Sequence, residues 1–172
     1  MAGMLVNFTD SIHQGKPLVL TERLEAPLVF PDLVLRAVAV VARAQKAGSD
    51  LWLELNAQAV AELQCDRCLQ ALALPLAASS RERLRYVSGH SGLDLIDEAG
   101  ADLYVFGDAP VDLLPLVRQA LYLALPDQAL CQSDCQGLCP TCGADRNRQG
   151  CPHQWPGGPV DPRLAALAEL NL

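Results

Sequence analysis

Five of the seven cysteines lie between positions 131 and 151, in CQSDCQGLCPTCGADRNRQGC, and the other two form CDRC at Cys65 and Cys68. This placement constrains the fold more than any other feature. The 131–153 segment is rich in Gly, Pro and polar residues and too short to bury a core, so something other than apolar packing must hold it. Zinc takes four ligands in a tetrahedron, closely spaced Cys pairs supply them, and the ion then provides the folding energy of the loop. An odd number of thiols fits a disulfide framework poorly, and in a reducing compartment clustered cysteines read as metal ligands.

Within the loop, Cys139-Pro-Thr-Cys142-Gly143 has the form of a zinc knuckle, with the glycine letting backbone N–H groups approach the sulfurs. Cys131 and Cys135 offer a second pair, and Cys151 with His153, in CPH, offers another. Six candidates compete for four places, and spacing leaves the set open. We take Cys131, Cys135, Cys139, Cys142 and Cys151 as candidate ligands of a structural zinc ion, with Cys65, Cys68 and His153 of undecided role. One option joins Cys65 and Cys68 to Cys139 and Cys142 in a CxxC…CxxC site that staples a sheet to the C-terminal loop. Arg67, between the first two thiols, is placed to favour their thiolate forms.

The rest of the chain reads as an α+β fold, an antiparallel β-sheet meander with one amphipathic helix, the zinc-type loop and a short C-terminal helix. Residues 16–45, broken by Pro17, Pro27 and Pro31, suggest short strands and turns. In DLWLELNAQAVAELQ, positions 51 to 63 alternate apolar and mostly polar, the period of a half-buried strand. CDRC then falls in a turn, and LQALALPLAASSRERLRYV pairs back as a hairpin. Residues 88–110 suggest an acidic loop with one short strand, LYVF. In VDLLPLVRQALYLALP, Asp112 is placed to cap a helix whose face carries Leu113, Leu116, Val117, Ala120, Leu121 and Ala124, and Pro126 ends it. DPRLAALAEL carries an N-cap Asp followed by Pro, a helix start. The expected organisation is a core domain over 1–126, with the cysteine loop and terminal helix over 127–172 packed on it.

The formal net charge is −7, which argues against a general nucleic-acid coat but not against a local basic patch. Arg81, Arg83 and Arg85 share one face of a strand, with Arg67 near the same hairpin, and form a candidate contact for RNA or a partner; the competing reading is a solvated strand face. The acidic stretch with Asp94, Asp97, Glu98, Asp102, Asp108 and Asp112 reads either as a solvated loop or as a dock for a basic protein. We find no phosphate-binding loop, nucleophile elbow or HExxH-type element, and expect no enzyme activity, catalytic residue or small-molecule substrate. No apolar run approaches the roughly 18 residues of a membrane span. The first residues show no basic start followed by an apolar stretch, so a cytoplasmic protein without a signal peptide is expected.

Four segments, CDRCL at 65–69, VDLLPLVRQALYLALP at 111–126, C…CQGLCPTCG at 131–143 and VDPRLAAL at 160–167, resemble in order and spacing the YceD family of large ribosomal RNA subunit accumulation proteins. The resemblance extends over roughly residues 15–171 and includes the family's form with a C-terminal cysteine-rich loop. It implies a non-catalytic role in synthesis, processing or stability of large-subunit ribosomal RNA, with that RNA or ribosomal proteins as partners. By position, the motif residues are Cys65, Arg67, Cys68, Cys135, Gly137, Cys139, Cys142, Gly143, Cys151, Asp161, Pro162 and Arg163. Cys151-Pro152-His153 stands where the family pattern leads us to expect Cys-x-Cys. A metal- or redox-responsive regulator using CDRC and the cluster is the competing function.

Overall fold

The computed structural model describes residues 3–31, 33–98, 100–148 and 151–153. In chain order its elements are β1 (Leu5–Val6), α1 (Thr9–Gln14), β2 (Leu18–Arg23), β3 (Leu28–Val29), β4 (Val34–Ala47), β5 (Asp50–Gln64), β6 (Ala71–Tyr86), β7 (Leu93–Glu98), β8 (Ala101–Phe106), β9 (Val111–Asp112) and α2 (Leu114–Leu123). The large sheet runs β2-β4-β5-β6-β8-β7, with β3 also paired to β4, and β1 pairs with β9 separately.

The alternation of β5 builds the centre of the molecule. Leu51, Leu53, Leu55, Ala57, Ala59 and Ala61 are buried on one face, while their neighbours Glu54, Asn56 and Gln58 point to solvent. A strand with this pattern gains its burial only when something covers the apolar face. Helix α2 does so with Leu116, Val117 and Leu121, preceded by buried Leu113, and Phe8 and Ile12 join the same core. The expected helical face is therefore present. Asp112 acts differently from a simple cap, because its Oδ1 accepts from the N–H of Leu114 at 2.9 Å and of Met4 at 2.8 Å. One carboxylate thus holds both the helix start and the β1–β9 pair.

CDRC sits at the tip of the β5–β6 hairpin, as expected, where Gln64 pairs with Ala71. Three expectations need correction. The sheet is mixed rather than a purely antiparallel meander, since β8 runs parallel to β6. Segment 88–110 is a β7–β8 hairpin rather than a loop with one strand. Leu103, Tyr104, Val105 and Phe106 are all buried, so β8 takes the position with two neighbours, and the exposed, acidic β7 takes the edge. β4 is one strand of 14 residues rather than short pieces, with a bulge between Arg36 and Ala39 where Ala37 takes a φ of 52°. Helix α1, six residues long, is too short to show a helical period in the sequence. The expected terminal helix and the linker before it, including Asp161, Pro162 and Arg163, lie outside the described residues. No helix among the described residues is long and apolar enough to cross a membrane.

Candidate metal centres

The structure divides the ligand candidates into two groups of four. Cys65, Cys68, Cys131 and Cys135 form the inner one, and Cys139, Cys142, Cys151 and His153 the outer one; in each, the ligand atoms lie within 4.8 Å of one another. Each group can hold a metal ion. The option that joined Cys65 and Cys68 to Cys139 and Cys142 is therefore corrected: the hairpin tip meets Cys131 and Cys135. Spacing could not show this, because the loop folds back onto a turn more than sixty residues upstream and the short-range pairs all looked alike.

The hairpin tip is locked to the loop by backbone bonds. Asp66 donates its N–H to the Ala129 carbonyl at 2.9 Å and accepts the Ala129 N–H on Oδ2 at 2.6 Å. Leu138 donates to the Arg67 carbonyl at 3.1 Å, and the Arg67 guanidinium donates to the Cys135 carbonyl at 3.0 Å. Arg67 thus braces the loop through its side chain. Within the inner group, Sγ of Cys65 lies 3.7 Å from that of Cys135, and Sγ of Cys68 lies 3.6 Å from that of Cys131. Zinc–sulfur bonds of about 2.3 Å at tetrahedral angles put two sulfurs about 3.8 Å apart. Asn147, which no sequence motif marks, donates Nδ2 to Cys135 Sγ at 3.4 Å and accepts the Gln136 N–H at 2.8 Å. The bracing of a ligand by such a neighbour fixes its orientation.

Both CxxC turns have one design. Cys65 donates its N–H to Gln70 and accepts from Leu69, and Cys139 donates to Ala144 and accepts from Gly143. The residue four past the first cysteine is left-handed in each, Leu69 at φ 59° and Gly143 at φ 71°. The fold aims backbone N–H groups at the first sulfur of each turn. Those of Cys68 chiefly, then of Cys131 and Arg67, hold the Cys65 thiol down to about 6 against its burial. Those of Cys142 and Thr141 do the same for Cys139, also to about 6. Burial and the neighbouring sulfurs push Cys131 up to about 12. Cys68 is raised too: the Gln70 N–H favours its thiolate, but burial and the Cys65 sulfur outweigh it. Four thiols at this separation cannot all ionise unless a cation offsets their charge.

The arginine stripe is largely neutralised. Arg85 pairs with Asp50 at 2.8 Å and Glu98 at 2.7 Å, and Arg83 pairs with Asp50 at 2.9 Å and Glu98 at 3.1 Å. Arg81 is the exposed member, stacked 4.6 Å over the Trp52 ring, with Glu54 at 3.8 Å. Arg43 lies on the same row, since Glu54 is the register partner of both Arg43 and Arg81. Much of the acidic segment is engaged internally: Glu98 with the arginines, Asp94 with His90, Asp108 with the Tyr86 hydroxyl, Asp97 with the Gly100 N–H.

The fold and site define a mixed β-sheet protein whose longest hairpin ends in a thiol-lined turn, met by a cysteine-rich segment, with two side-chain groups that could hold a metal ion. Residues 53–171 match the family described as Large ribosomal RNA subunit accumulation protein YceD, and the chain belongs to that family. It is 31% identical over 109 residues to the uncharacterized protein YlbN of Bacillus subtilis, covering 63% of this chain and 59% of the relative. An uncharacterized protein of Mycobacterium tuberculosis is also 31% identical over 109 residues, covering 62% of this chain and 49% of the relative. The chain thus spans about half the length of the curated relatives it matches. No solved structure matches it.

Proposed function

We propose that the protein is a non-catalytic factor in the accumulation of large-subunit ribosomal RNA, with a structural zinc ion in the inner four-cysteine group. The family match over residues 53–171 carries the ribosomal part of this reading. The inner group supports the structural part. Its cysteines are buried or half-buried, its sulfurs face one another, and it joins the β5–β6 tip to a loop that has little core of its own. Zinc bound by four thiolates leaves no open position for chemistry.

The sheet face supports contact with RNA at a smaller site than the arginine stripe. Arg43 and Arg81 flank Trp52 on one groove, together with Glu54 and the apolar Leu18 and Val19. The two guanidinium groups offer phosphate contact, and the Arg81 guanidinium stacked on Trp52 offers a planar face for a base. Crosslinking pull-down from growing cells, with RNA and proteins identified together, tests the function. Enrichment of large-subunit ribosomal RNA precursors or ribosomal proteins is the expected result, and enrichment of neither overturns it. Replacing Arg43 and Arg81 with Ala should weaken RNA association and lower the salt slope by about 0.7–0.9 per lost phosphate contact. The same change at Arg83 and Arg85 should leave the slope unchanged, because their charge is already paired.

A further inference from the structure

We infer that Cys139, Cys142, Cys151 and His153 form a second, separate zinc centre, so that the chain carries two ions rather than one. The ligands are three thiolates and one imidazole nitrogen. The first observation is convergence. Sγ of Cys142 lies 3.5 Å from that of Cys151, and Sγ of Cys151 lies 3.4 Å from Nδ1 of His153. Bond lengths of about 2.3 Å to sulfur and 2.0–2.1 Å to nitrogen at tetrahedral angles require roughly 3.8 Å and 3.5 Å. All four ligand atoms fall within 4.8 Å of each other. A polynuclear iron–sulfur cluster interposes its own atoms and holds its thiolates further apart.

The second observation is independent of those distances. The Cys139–Ala144 turn repeats the backbone bonding of the Cys65–Gln70 turn residue for residue: the first cysteine donates to the residue five on and accepts from the residue four on, which is left-handed. The two turns share no strand and differ in sequence, CDRCLQ against CPTCGA. Leu69 adopts the left-handed conformation in the first turn despite the steric cost of its Cβ against the following carbonyl. A turn retained at such a cost in one group, and built with the permissive glycine in the other, points to one shared role, that of aiming backbone N–H groups at a metal-bound sulfur.

The third observation concerns position. The segment from Cys139 to Arg148 is shaped by its own turns, Arg146 to Gly137 and Arg148 to Asp145 among them, and by the Leu138–Asp145 bridge. Cys142 and His153 are exposed and only Cys139 is buried. Apolar packing therefore cannot explain why Cys151 and His153 return to the Cys139 turn. A ligand shared between them can. An imidazole nitrogen completes a set of three thiolates on zinc as competently as a fourth thiolate does. The outer ion is also the more accessible to chelators, because Cys142 and His153 are exposed.

The inference does not depend on the ribosomal reading. The test is zinc content per folded chain, measured by mass spectrometry on full-length protein purified under reducing conditions, for the wild type and for Cys142→Ser with Cys151→Ser. Two ions falling to one is the expected result. One ion falling to none would overturn the count of two and leave the outer group as the single zinc site. One ion in both proteins would overturn the outer centre. So would a reduced protein in which Cys142 and Cys151 react with alkylating reagent equally fast with and without added zinc. His153→Cys should retain two ions, and in the cobalt-substituted protein its visible bands should shift toward an all-thiolate pattern. An unchanged spectrum would refute the role of His153.

Discussion

Gly137 is the hinge of the seam between the hairpin tip and the cysteine loop, and its replacement measures that seam. Its φ is 69°, and a Cβ added there would stand 3.0 Å from the Arg67 carbonyl oxygen and 3.4 Å from the Arg67 Cβ. The Leu138 N–H bonds to that same oxygen at 3.1 Å. Gly137→Ala therefore incurs the left-handed cost of about 1–2 kcal/mol. Moving the loop away also forfeits one backbone hydrogen bond, about 0.5–1.5 kcal/mol. The smaller entropy of the unfolded chain returns about 0.4–1 kcal/mol. The net loss is about 2 kcal/mol. Gly143→Ala is the control, since Gly143 has φ 71° and nothing lies within 4 Å of its added Cβ. It carries the conformational cost alone, about 1 kcal/mol net. Thermal unfolding followed by circular dichroism with zinc in excess should place Gly137→Ala below Gly143→Ala by about 2–4 °C, the shift expected for 1 kcal/mol in a chain of this size. Equal midpoints would refute the claim that the Arg67–Leu138 seam contributes to stability.

Further expectations rest on the sheet. Asp50 is held below its usual carboxylate value of 3.8, chiefly by the hydrogen bond from Arg85, with Arg83 adding to it against burial. A depressed folded value means stability that is present above the unfolded value and lost as pH falls through the folded one. Asp50→Asn should thus lower the melting midpoint near pH 7, and its gap to the wild type should close as pH falls below 3.8 and through the lower folded value; a gap that persists in acid would refute the ion pair. Leu55→Ala, at a site 1% exposed, should cost about 2–5 kcal/mol in denaturant unfolding. Asn56→Ala, on the opposite face of the same strand, should stay within about 0.5 kcal/mol. Comparable losses at both sites would contradict the burial pattern of β5.

The legible parts of this protein are those written in local periodicity and spacing. The alternation from Leu51 to Leu63 specified a strand, the Leu116–Val117–Leu121 face specified a helix, and CPTCG specified a knuckle, because each pattern lies within one element and needs no partner to be recognised. Gly143 was readable for the same reason. Leu69 was not, since no sequence rule places a branched aliphatic residue at positive φ, as it stands in the Cys65–Gln70 turn.

What the sequence could not decide was which distant elements meet. Six ligand candidates were compatible with several sets of four, and the choice fell to the fold-back of residues 129–138 onto Asp66 and Arg67. The neutralisation of Arg83 and Arg85 was equally hidden, because Glu98 reaches them only through the β7–β8 hairpin and the parallel pairing of β8 with β6. Charge on a strand can be counted from sequence, but its partners come from neighbouring strands. By itself the sequence determined strand periodicity, the helix face and the presence of clustered thiols as candidate ligands. The tertiary structure decided how those ligands divide into two groups and which arginines remain exposed, since both depend on contacts between residues far apart in the chain.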